Sequence, residues 1–180
     1  MGEPSRIALV GCSKTKGGSA APARELYRGD LFARSVAYAE ATCAQWLILS
    51  AEHGLLDPDE VVGSYETTLE PRRADAWGQR VADQLVAAVP ADATLVFLAG
   101  SIYGAFRGHV PNPIEEPLAG MGIGARKAWL AAQLVPLASI EDLRARLDLA
   151  IEDGPLGTAL FDQAECQLLR SHLHAEASAR

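Results

Sequence analysis

"RIALVGCSKTKGG", residues 6–18, decides how the rest of the chain is read. Ile7 to Val10 are apolar without a break, and Gly11 ends the run. An apolar stretch this short, closed by glycine, reads as a buried strand rather than a helix, which needs more turns to bury a face. The next five residues supply a thiol, two hydroxyls and two ammonium groups. The chain holds three lysines against thirteen arginines, and Lys14 and Lys16 are two of the three. Where arginine is the rule, two compact and flexible point charges stand beside a cysteine.

Two further runs repeat the pattern. WLILSA (46–51) and TLVFLA (94–99) are apolar but for Ser50 and Thr94, and each gives way to polar or glycine-rich sequence. Between the runs lie two helical periodicities. Residues 30–44 place Phe32, Val36, Ala39 and Cys43 on one face, with Asp30 as the expected cap. Residues 72–88 space Trp77, Val81 and Leu85 in the same way. Strand, helix, strand, helix, strand, with no polar alternation in the strands, predicts an α/β fold: a three-layer sandwich around a mostly parallel central sheet with right-handed crossovers. A long loop is expected after residue 51, holding His53, Gly54, Asp57, Pro58, Gly63 and Tyr65. Residues 101–106 suggest a helical turn, and 125–134 a helix after PLAGMGIG. Ser139 opens a capping box, and a last helix starts near residue 158. The expected division is an α/β core over 1–136 and a helical C-terminal extension over 137–180 packing on it.

Composition bounds the function. A chain of 180 residues, 49% hydrophobic, buries one good core. Its net charge of −7 argues against a surface that grips nucleic acid all round. The charge is uneven: residues 1–40 carry six basic and four acidic groups, residues 139–180 four and eight. Three scattered cysteines (Cys12, Cys43 and Cys166) form neither a disulfide framework nor a zinc pattern, and the four histidines are dispersed. No metal or cofactor is expected. The absence of a long apolar segment or a charged-then-apolar leader predicts a cytoplasmic protein with no membrane partner. The oligomeric state is left open.

In open parallel sheets ligands bind beyond the carboxyl ends of the strands. Here those ends are GCSKTK, SAEHGLLDPD and AGSIYG. Cys12, Lys14 and His53 are the candidates for catalysis. Alone, Cys12 serves equally well as a small filler; two ammonium groups and a turn of free N–H groups favour the thiolate that a nucleophile needs. His53 is either an ordinary loop residue or a general acid or base. Ligand contacts are expected from Gly11, Ser13 and Lys16 on the first loop, Ser50, Gly54 and Tyr65 on the second, and Gly100, Ser101 and Tyr103 on the third, with Tyr27 stacking on a ring. The loop lacks Walker spacing, which disfavours a nucleoside triphosphatase.

Four stretches, LVGCSKTK, ARELYRGDLFARSVAYAE, WLILSAEHGLLDPDEVVGSYETTL and EEPLAGMGIG, resemble uncharacterised bacterial and phage proteins similar to the YaaA-like (peroxide stress protein) superfamily. Ser50, Gly54, Leu55, Leu56, Pro58 and Tyr65 match that superfamily's second segment, although His53 stands where it has tyrosine. A more distant similarity is to the archaeosine synthase and tRNA-guanine transglycosylase group, without the KPY that follows its cysteine. The resemblance implies either an enzyme acting on a nucleobase, nucleoside or nucleotide, of transferase or glycosidase type, or a non-catalytic DNA-binding protein of stress response. The second would use Lys14, Lys16, Arg24, Arg28 and Arg34. The expected partner is a small nucleobase or nucleotide ligand, with nucleic acid the alternative.

Overall fold

The computed structural model describes residues 4–134. β1 (Arg6–Gly11) leads through a polar loop to β2 (Ala21–Pro22), the single turn α1 (Ala23–Leu26) and α2 (Asp30–Thr42). β3 (Gln45–Ser50) turns into β4 (Gly54–Leu56), and β5 (Val61–Val62) precedes α3 (Pro71–Ala88). β6 (Thr94–Leu98), a 3-10 helix (Ser101–His109), β7 (Ile114–Glu115) and α4 (Ile123–Gln133) follow.

The three apolar runs are the three parallel strands at the centre of a five-stranded sheet ordered β4-β3-β1-β6-β7. Leu9 lies opposite Leu47 on one side and Phe97 on the other. Side chains alternate between faces along each strand, so both faces need cover. Ile7, Leu9, Leu47, Leu49, Leu95 and Phe97 share one cluster with Trp77, Val81 and Leu85 of α3 and Phe106 of the 3-10 helix. Ala8, Val10, Trp46, Ile48, Val96 and Leu98 share the other with Phe32 and Tyr38 of α2 and Leu130 of α4. Burying a leucine or valine of this kind contributes about 1.5–3 kcal/mol, which is why the middles of the runs are apolar.

Three expectations need correction. The segment after residue 51 is a hairpin, not a long loop: β4 pairs antiparallel with β3, Ser50 opposite Gly54. Gly54 takes φ +80°, a left-handed conformation that costs glycine little, and this lets the chain reverse within three residues. Gln84 Oε1 then accepts from Leu55 N at 2.9 Å, tying the hairpin to α3. Asp30 does not cap α2. Gly29 occupies that position, and Ser13 Oγ accepts from Gly29 N at 3.2 Å. Asp30 is drawn to Arg34 (3.1 Å) and Lys127 (2.8 Å) instead. Val61 and Val62 pair with β2 as a separate two-stranded ribbon. The helices expected from Ser139 and from residue 158 lie outside the described residues, as do Cys166 and the 137–180 extension. Among the described residues, no helix is long and apolar enough to cross a membrane.

Candidate ligand site at the carboxyl edge of the sheet

Because β1, β3 and β6 run parallel, the residues that follow them meet at one edge. Cys12 is fixed there by its own backbone, whose N–H donates to Leu49 O at 3.0 Å. Its Sγ lies 3.3 Å from the hydroxyl of Tyr103, carried in by the 3-10 helix. The two strand ends are pressed together: a Cβ on Gly11 would stand 2.9 Å from Ala99 Cβ, so only glycine fits without displacement.

A second group of hydroxyls stands on the β3 side. Tyr65 OH is 2.7 Å from Ser50 Oγ and 2.7 Å from Tyr27 OH. Ser50 is fully buried, and its Oγ also accepts from His53 N at 3.1 Å. The His53 ring meets the Tyr65 ring edge-on, with centroids 5.3 Å apart. The Lys16 ammonium sits over the Tyr65 ring, 4.3 Å from its centroid, a cation–π arrangement. Trp77 supports the group from α3: its Nε1 donates to Ser50 O at 2.9 Å, and its ring meets Tyr103 edge-on at 5.3 Å.

Burial, then negative charge on Cys12, pushes the Tyr65 and Tyr103 phenols well above the ordinary tyrosine range. Burial raises Tyr27 as well, against the hydrogen bonds from Ser50 and Tyr65 that favour its phenolate. All three phenols therefore stay protonated at neutral pH and are available as donors. One donates to or accepts from a thiol; two belong to a chain of hydroxyls along which a proton can pass.

This has a consequence at high pH. The folded state holds these protons after the unfolded chain has released them, near pH 10. Stability from the phenols is complete below that pH and is lost as pH rises above it. Urea midpoints are expected to be insensitive to these groups up to about pH 9.5 and to fall steeply above about pH 10. Phenolate absorbance from Tyr27, Tyr65 and Tyr103 should then appear together with unfolding. Titration of the three in the folded protein near pH 10 would contradict their burial.

Not every candidate joins the cluster. Ser13 serves the loop, donating to Thr15 O at 2.6 Å while accepting from Gly29 N. Lys14 is exposed. Gly54 shapes the hairpin, and Gly100 begins the 3-10 helix. Ser101 borders a neighbouring cleft with Arg107 and Arg126. Arg24 is held by Asp59 (2.9 Å) and Arg34 by Asp30 (3.1 Å). Trp77, Arg107 and Arg126 are additions that the sequence did not single out for the site. Trp77 was visible only as a core position, and the arginines sit in segments whose fold was not anticipated in detail. Among the described residues, no three His, Cys, Asp or Glu side chains converge as a metal would need.

A model of a family of unknown function (DUF6884) matches residues 7–132. The chain belongs to that family. The DUF6884 match runs from β1 to α4 and takes in every residue of the thiol and hydroxyl groups described above. None of the curated proteins matches the chain.

Proposed function

We propose that the protein binds a nucleobase, nucleoside or nucleotide at this edge and acts on it as an enzyme, with Cys12 as the nucleophile. The observation that carries the reading is the 3.3 Å approach of the Cys12 thiol to Tyr103 OH, beside the Tyr27–Tyr65–Ser50 hydroxyls. Tyr103 hydrogen-bonds the sulfur, Lys14 and Lys16 supply positive charge at the mouth, and His53 and Tyr65 present ring faces and edges to a heterocycle. The reaction this set supports best is attack of the Cys12 thiolate on the sugar C1′ of a nucleoside or nucleotide. The C–S bond forms as the glycosidic C–N bond breaks, and the departing base takes a proton from the neighbouring phenols. Water or an incoming base then displaces the sulfur as thiolate and returns that proton, a glycosidase or transferase reading. Helices against both faces of the sheet support a three-layer sandwich, and free thiols at Cys12 and Cys43 support a cytoplasmic setting. The DNA-binding alternative would draw on Lys14, Lys16 and Arg28, since Arg24 and Arg34 are taken by carboxylates.

The test is protection of Cys12 from iodoacetamide, followed by peptide mass spectrometry, against a panel of bases, nucleosides and nucleoside monophosphates. At least one class should slow Cys12 labelling about tenfold at saturation and leave Cys43 unaffected. The Lys14→Ala/Lys16→Ala variant should bind that class more weakly by about 1–2 kcal/mol. If every compound leaves the Cys12 rate unchanged, the ligand reading is wrong.

A further inference from the structure

The cleft beyond β6 has a charge that nothing in the described residues balances. It is about 130 Å³ in volume and is lined by Phe97, Ser101, Arg107, Glu116 and Arg126, among others. That is room for a compact group such as a phosphate. Arg126 is held in place by two backbone carbonyls, Nε donating to Met121 O at 2.9 Å and Nη1 to Ala99 O at 3.0 Å. Among the described residues no carboxylate lies within 4.0 Å of it. Arg107 sits over the Phe97 ring, 4.3 Å from its centroid, and gives Nη2 to Glu116 at 2.7 Å. Its buried Nε has no partner among the described residues.

Two guanidiniums thus face one carboxylate. A half-buried cation fixed by dipoles but left without a counter-charge is costly unless an anion completes it. Guanidinium forks select oxyanions with two oxygens to offer. The cleft also adjoins the thiol site: Ala99, whose carbonyl holds Arg126, presses on Gly11, and Cys12 is the next residue. Ser101 borders the cleft while Tyr103, two residues on in the same 3-10 helix, touches Cys12.

We infer that this cleft is an oxyanion subsite, held by Arg107 and Arg126, that takes the phosphate monoester of a nucleotide whose ring lies against the tyrosines. The assignment of the phosphate to a nucleotide rests on the proposed function; the oxyanion subsite itself does not.

Inorganic phosphate, followed by ³¹P NMR line broadening on the full chain, reads the cleft alone. Saturable binding is expected in the wild type. Arg126→Gln should weaken it about tenfold or more, the loss of a charged hydrogen bond. Glu116→Gln removes the competing carboxylate and should tighten it about threefold. Lys14→Ala/Lys16→Ala should leave it within about twofold, because those lysines serve the other mouth. If Arg126→Gln fails to fold by circular dichroism, the Glu116→Gln result decides, since a purely structural ion pair would not raise phosphate affinity when broken. No saturable binding in the wild type, or an affinity unmoved in the folded variants, overturns the subsite. Nucleoside monophosphates should bind more tightly than phosphate alone. If phosphate follows the arginines but the monophosphates gain nothing, the subsite stands and the nucleotide reading falls.

Discussion

Trp77→Ala should lower stability by about 4–6 kcal/mol, a large part of the 5–15 kcal/mol that holds a typical domain together. Two losses combine. The indole is 4% exposed and packs in the α3-side core, so its removal leaves a cavity worth about 3–5 kcal/mol. Its Nε1 also donates to Ser50 O, and losing that buried hydrogen bond costs about 1 kcal/mol more. Trp77→Phe separates the two, keeping most of the ring while deleting the donor, and should cost about 1–3 kcal/mol. Urea unfolding at constant m-value measures both. The site should register the change too: Ser50 and Tyr103 lose their shared support, so ligand protection of Cys12 should weaken in Trp77→Phe although the protein remains folded. A Trp77→Ala midpoint within about 1 kcal/mol of wild type would mean the indole is not seated as described.

Phe106→Ala comes next, at about 3–5 kcal/mol. The ring is fully buried and tilts against Phe97 at 6.1 Å, and Phe97 in turn lies beneath the Arg107 guanidinium. Removing Phe106 therefore leaves a void under the floor of the cleft as well as in the core. Phosphate affinity should fall along with the unfolding midpoint. Val86→Ala, on the exposed side of α3, should stay within about 0.5 kcal/mol of wild type and control for helix propensity. Equal costs at positions 86 and 106 would contradict the packing of the 3-10 helix on the sheet.

The central strands were legible because burial on both faces leaves one simple signature, a short apolar run that gives way to polar or glycine-rich sequence, and β1, β3 and β6 all carry it. α3 was legible for a related reason: Trp77, Val81 and Leu85 repeat at helical spacing. β4 was not, because three residues are too few to show a period and Gly54, Asp57 and Pro58 all signal a turn. Pairing with β3 overrides that local signal. Asp30 looked like a cap, but a cap is decided by backbone geometry one residue earlier and by which cations lie nearby. Lys127, almost a hundred residues away, could not be placed from sequence. At the site, strand ends brought Cys12, Ser50 and Tyr103 to one edge as topology requires. The partners of each hydroxyl depend on side-chain direction, which sequence spacing does not give, and the cleft arginines depend on how residues 101–126 wrap the end of β6.

The central place of β1 has a consequence for how the chain is made. β1 leaves the ribosome first, yet its two neighbours lie at residues 45–49 and 94–98. At ordinary rates of synthesis the last of these follows roughly 4–17 s later. Until then β1 is an apolar nascent segment with at least one edge unpaired, the kind of stretch that aggregates or recruits chaperones. Arg6 at its start and Lys14 and Lys16 after it bracket the segment with charge. The loop that begins the candidate site thus also acts as a gatekeeper during translation, and neutralising it should lower the soluble yield of newly made protein more than the stability of protein already folded.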